Sequence, residues 1–135
     1  MYELDSIMRK WLILDIVVIG LIGSIAYITY QNIDRNLNNL LKQEIEDISL
    51  SRVDDGKYVG EFETFPITVK LEVEIENHKI KNIVILKHEN GQGRPAESII
   101  QSVIESNSID VDVISGASYS SKVILNAISN AINQK

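Results

Sequence analysis

One segment constrains this chain before anything else: Trp11 to Tyr30 reads WLILDIVVIGLIGSIAYITY, with fifteen apolar or aromatic side chains in twenty residues. At ~1.5 Å rise per residue such a helix is about 30 Å long, the hydrocarbon thickness of a bilayer. Mean hydropathy is +0.01 although 24% of residues are charged, and this one segment accounts for the surplus. The run predicts an uncleaved membrane anchor. Arg9 and Lys10 precede it and the next basic residue is Arg35. The bias in positive charge therefore places the N-terminus in the cytoplasm and residues 31–135 outside a cell membrane crossed once. Trp11 at one end and Tyr27 and Tyr30 at the other suit the interfacial belts. Asp15 lies a turn inside Trp11, where it either pairs with a membrane partner or stays hydrated or protonated near the headgroups. Ser24-Ile25-Ala26 loosely fits a signal-peptide cleavage site, but the apolar run is longer than the usual signal core.

From Gln31 to Leu50, Ile33, Leu37, Leu40, Leu41, Ile45 and Ile48 recur at three- and four-residue spacing without Gly or Pro, which predicts an amphipathic helical stalk. Its stripe can pack on the domain that follows, on a second copy or on a partner. Ser51 to Gly56 interrupts the pattern, which divides the chain into a tail and anchor (1–30), a stalk (31–53) and a domain (54–135).

In the domain the period changes to two. Ile67, Val69, Leu71, Val73 and Ile75 alternate with polar residues, the Glu72, Glu74 and Glu76 row reading as a solvated face. Asn77-His78 predicts a turn, residues 80–86 a return strand, and residues 58–64 a first strand. Pro95 predicts a helix start, with Ile99, Ile100, Val103 and Ile104 on one face. Asp110 to Ile114 reads as a short strand, and Val123 to Ile132 as an amphipathic closing helix. The expected class is α+β: a transmembrane helix and stalk, then a small antiparallel sheet packed with two helices.

Charge and cysteine count narrow the function. From Gln31 onward eleven basic residues face sixteen acidic ones, a net −5 that disfavours nucleic acid. No Cys means no iron–sulfur cluster on this chain's thiolates and no lipid-modified cysteine, so redox work needs an organic cofactor. His78 and His88 are too few and too far apart to suggest a metal site.

Asp112-Val113-Ile114-Ser115-Gly116-Ala117-Ser118-Tyr119-Ser120-Ser121 is the chemically distinctive stretch. A small, glycine-containing turn feeding a helix presents unpaired N–H groups at the positive end of the helix dipole, a site for phosphate. The serines add hydroxyls, and any of them is a potential acceptor of an activated phosphoryl group. The plainer reading is a serine N-cap.

Asp-x-x-Ser-Gly-Ala-Ser followed by Tyr-Ser-Ser closely resembles the FMN-binding domain family, known from a subunit of the sodium-translocating NADH:quinone reductase and of related ferredoxin-linked membrane complexes. The resemblance extends from Asp55, where Asp-Gly-Lys-Tyr-Val-Gly matches the family's opening, to Ile132. It implies that the last hydroxyl of the motif carries FMN through a phosphoester made from FAD by a separate flavin transferase. By match, Asp112, Ser115, Gly116 and Ala117 form the motif and Ser118, where relatives more often have Thr, is the acceptor. Tyr119 would stack on the ring or simply pack, and Ser120 and Ser121 add hydroxyls. In the loop from His88 to Pro95 relatives carry His-x-Glu-Thr-Pro-Gly, and the Thr-Pro pair is absent here. His88, Gly91 and Gly93 are weaker candidates for the pocket, with Asn90 and Gln92 as hydrogen-bonding groups and Arg94 as a counter-charge.

These readings describe a membrane-anchored, extracytoplasmic electron carrier with one FMN and membrane redox partners. It would not be an autonomous enzyme. A module holding FMN noncovalently as a sensor or assembly subunit, and a flavin-free interaction domain, stand as alternatives.

Overall fold

A computed structural model of the protein describes residues 1–46, 48–89 and 93–133. The chain divides into two compact units, residues 1–35 and 36–135. Helix α1 (Tyr2–Lys42) opens the chain. Among the described residues it is the one helix long and apolar enough, by length and composition, to cross a membrane. Its apolar side chains in the first unit face outward, Ile16 and Ile19 each 68% exposed.

The second unit is built on a meander, β1 (Gly56–Thr64), β2 (Ile67–Glu76) and β3 (Lys79–Glu89), paired antiparallel in the order β1-β2-β3. The period-two pattern is realised most fully in β2, where Val69, Leu71, Val73 and Ile75 are buried and Lys70, Glu72 and Glu74 are less so. The β2–β3 turn puts Asn77 and His78 at φ 53° and 59°, the geometry of a type I′ hairpin turn. His78 is fixed there by Nδ1, 3.1 Å from the Leu50 carbonyl and 3.2 Å from that of Val53. The Asp55 carboxylate accepts the Asn77 N–H at 2.8 Å, tying the start of β1 to the same turn. Register shifts opposite Lys70/Leu71 and Glu74/Ile75 leave Leu86 and Lys81 as bulge residues, so β3 buries Ile80 and Ile83 and half-buries Ile85 instead of turning in every second position. On the outer face the Lys57 ammonium bonds Glu72 Oε1 at 2.8 Å, which holds its pKa above the usual lysine value.

Helix α2 (Ile99–Ser106) follows a 3-10 turn at Arg94–Ser98 with Pro95 in its first turn, so the proline opens a tighter helix before the α-helix proper. Helix α3 (Ser118–Ile132) covers β1 and β2 with Val123, Ile124, Ala127, Ile128, Ala131 and Ile132. Close approach there depends on Gly60. A Cβ on Gly60 would stand 2.0 Å from the Ala127 carbonyl oxygen and 2.6 Å from the Ala131 nitrogen.

Two sequence expectations change. The stalk periodicity predicts helix to Leu50, but α1 ends at Lys42 and a 3-10 turn forms only at Leu50–Arg52. Of the three partners open to the stripe, its own domain takes it: Leu40 is 3% exposed, and Leu37, Ile45 and Ile48 pack on the same core. Helix α3 reaches across to hold this segment, Ser129 Oγ donating to the Glu46 carbonyl at 2.8 Å and Lys122 Nζ to that of Gln43 at 3.4 Å. Carbonyls satisfied this way need no continuing helix. The second change is at Asp110–Ile114, which joins no ladder. Alternating Asp and Val give it strand composition, but its two ends are pinned by side chains, Asp110 N–H to Ser108 Oγ at 3.0 Å and Ile114 N–H to Ser121 Oγ at 3.1 Å.

Candidate functional site

The segment after Ile114 turns sharply into α3. The Ala117 N–H bonds the Ile114 carbonyl at 3.0 Å, and Gly116 lies inside that turn at φ 77°, in the left-handed region where a Cβ is strained. The first helical bond of α3 runs from the Ser121 N–H to the Ala117 carbonyl at 2.9 Å. The N–H groups of Ser118, Tyr119 and Ser120 therefore precede the helical ladder at its positive end.

The serine-cap reading meets a specific obstacle. The N-cap residue is Ala117, at φ −136° and ψ 32°, and among the described residues no side chain caps the helix. Ser121 is fully buried and spends its hydroxyl on structure, accepting from the Ile114 N–H and donating to the Ala117 carbonyl at 2.9 Å. Ser118 is half-buried and Ser120 is 2% exposed.

At this turn lies a cavity of about 420 Å³, within the range of small-molecule sites. Its lining joins Gly93, from the connection between β3 and α2, to Gly116, Ala117, Ser118, Tyr119 and Ser120, with Ile67 and Leu41 completing the wall. A hollow of about 500 Å³ elsewhere has Glu44, Asp110 and Lys122 in its lining, two carboxylates against one ammonium, a weaker match to an anion.

The cavity thus gathers six of the residues picked from sequence: Gly93, Gly116, Ala117, Ser118, Tyr119 and Ser120. Others lie elsewhere. Ser115 is exposed in the turn outside the lining, and Asp112 lines an open groove with Glu105 and Asp110. The His88 side chain is 3% exposed and directs Nδ1 at Glu97 Oε1, 2.8 Å away, linking the end of β3 to the 3-10 turn. Gly91, Asn90 and Gln92 lie outside the described residues. Leu41 and Ile67 escaped the sequence reading because each belongs to an apolar pattern that already had a structural explanation.

Whether these groups fit a flavin phosphate follows from the donor set. Three leading N–H groups, a helix dipole not capped by any side chain and the adjacent Ser118 hydroxyl suit an anion, and Ile67, Leu41 and Tyr119 offer apolar surface to a ring. Nothing stands within 4 Å of the Cβ position of Gly116, so the backbone there is open to close approach. The residues fit.

A small antiparallel sheet, a helix packed across it and a cavity at that helix's N-terminus define an α+β cofactor-binding domain. The chain belongs to the FMN-binding domain family, whose sequence profile matches residues 65–133, and its cofactor is FMN. It is also 30% identical over 113 residues to an NADH:acrylate oxidoreductase from Vibrio harveyi, an alignment covering 77% of this chain and 11% of that protein.

Proposed function

We propose that the protein is a membrane-anchored electron-transfer flavoprotein whose FMN is held at the N-terminus of α3 and bonded through its phosphate to Ser118. The observation that carries this reading is the convergence of Ser118, the other leading residues of α3 and Gly93 on one cavity with Leu41 and Ile67 in its wall. When bound, FMN supplies reversible one- and two-electron transfer. The protein's part is to bind and orient it. The N–H groups of Ser118 to Ser120 and the helix dipole offset phosphate charge, Gly116 lets the backbone approach, and Tyr119 and Ile67 cover apolar surface. Joining Ser118 Oγ to the FMN phosphorus, with FAD as donor, breaks the pyrophosphate bond of FAD, releases AMP and frees the hydroxyl proton. A partner transferase would supply that catalysis.

Helix α1 supports the anchor, and Arg9 and Lys10 support a cytoplasmic N-terminus with the flavin domain outside. The similarity to part of a larger oxidoreductase supports a redox carrier that works with other domains or subunits. Coexpression with a flavin transferase should give a fluorescent band on a denaturing gel and a mass increase of one FMN less one water. Ser118→Ala should abolish both. An unchanged band in that variant overturns the linkage, and flavin that copurifies but leaves on denaturation identifies noncovalent binding instead.

A further inference from the structure

One wall of the cavity lies outside the family's own sequence. Among the described residues eight line the cavity; Ile67, Gly93 and Gly116 to Ser120 fall within the matched stretch 65–133, whereas Leu41 precedes its start by twenty-four positions. Leu41 stands on the last turn of α1, and that turn is fastened to the domain on either side of it. Leu40 is buried at 3% exposure, Leu37 packs on the same core, the Tyr119 hydroxyl donates to Asn38 Oδ1 at 3.4 Å, and Lys122 Nζ reaches the Gln43 carbonyl. Leu41 itself keeps 38% of its surface exposed.

We propose that Leu41 is a flavin-contacting residue and that the end of α1 is a wall of the cofactor site as well as a link to the N-terminal segment. Among the described residues the lining hydroxyls and the leading helical N–H groups belong to the α3 turn, so a phosphate is served there. A flavin ring needs apolar cover in addition, and among the described lining residues the large side chains offering it are Leu41, Ile67 and Tyr119, with Ala117 adding only a methyl. Ile67 is only 6% exposed, which leaves Leu41 and Tyr119 with most of the apolar surface still to be covered.

This inference rests on the reading that the cavity holds FMN, and the chain's lack of cysteine permits a test that separates the two. The full-length Leu41→Cys, Tyr119→Cys and Leu86→Cys variants, each with a single thiol, are alkylated in detergent with and without bound FMN. Ligand sites enclose most of the ligand surface, so FMN should slow Leu41→Cys by about tenfold. Leu86, exposed on β3, is the control. Equal rates for Leu41→Cys with slowing for Tyr119→Cys overturn the Leu41 contact alone, and equal rates for both overturn the cavity reading beneath it. Slowing of Leu86→Cys to the same degree also overturns the contact, because it reports a change of the whole molecule. As a second measurement, the visible circular dichroism of bound FMN should change in Leu41→Gln and recover in Leu41→Met. An unchanged spectrum in Leu41→Gln counts against the proposal.

Discussion

Ser115, Ser118, Ser120 and Ser121 stand within seven positions of one another, and their surroundings assign them separate roles. Ser121 is buried and makes two hydrogen bonds that shape the turn, whereas Ser118 is half-buried and lines the cavity. Removing the Ser121 hydroxyl leaves the half-buried Ile114 N–H without its acceptor, a loss of about 1–3 kcal/mol. Thermal unfolding should therefore separate the two: Ser121→Ala melts several degrees lower and still accepts flavin, and Ser118→Ala melts as the unmodified protein does and accepts none. Gly116→Ala should fall between them, costing about 1–2 kcal/mol because only glycine occupies φ 77° without strain. The sequence showed the turn and its glycine but not which hydroxyl was committed. That distinction depends on the path of residues 110–114, which joins no ladder among the described residues and where the side chain of Ser121 takes the Ile114 N–H.

At the scale of elements, periodicity carried most of the fold. Strand β2 was legible because it buries one face, so that its apolar residues fall at intervals of two, and α3 because its apolar residues fall at intervals of three and four, although the helix is buried on nearly every side, with Ser120, Ser121, Asn126 and Ser129 inside as well. What misled was composition without context: the Asp-Val alternation of 110–114 found no neighbouring strand, and the stalk stripe continued past the helix that carried its first half. The bulges at Lys81 and Leu86 were illegible for a related reason, since only the register with β2 shows that β3 skips a position. Gly60 was noticed as part of a motif, and its physical role is the approach of α3 to β1. Because the atoms in the way are backbone, Gly60→Ala cannot be absorbed by a rotamer change and must push the helix outward. A loss of more than about 3 kcal/mol is expected. Urea unfolding at equilibrium would show it as a lowered midpoint, and a midpoint within experimental error of the parent would contradict the packing.

The whole molecule depends on residues that precede its sheet. Leu40 and Leu50 belong to the buried core, and Leu37, Ile45 and Ile48 pack against it. Burial of a leucine or isoleucine contributes about 1.5–3 kcal/mol, against a total of about 5–15 kcal/mol for a typical domain. A chain beginning at Asn36 keeps all five side chains, and one beginning at Asp54 loses them together with the Ser129 bond to Glu46 and the Val53 and Leu50 carbonyls that hold His78. The two truncations should therefore behave oppositely. The chain from Asn36 should unfold cooperatively on heating and exchange its β2 amides slowly. The chain from Asp54 should show rapid exchange throughout and bind a hydrophobic dye, even though it contains the whole stretch that matches the family. If the shorter chain were as stable as the longer, the segment from Asn36 to Val53 would be a covering that the core does not require, and the cavity wall at Leu41 would lose its structural support.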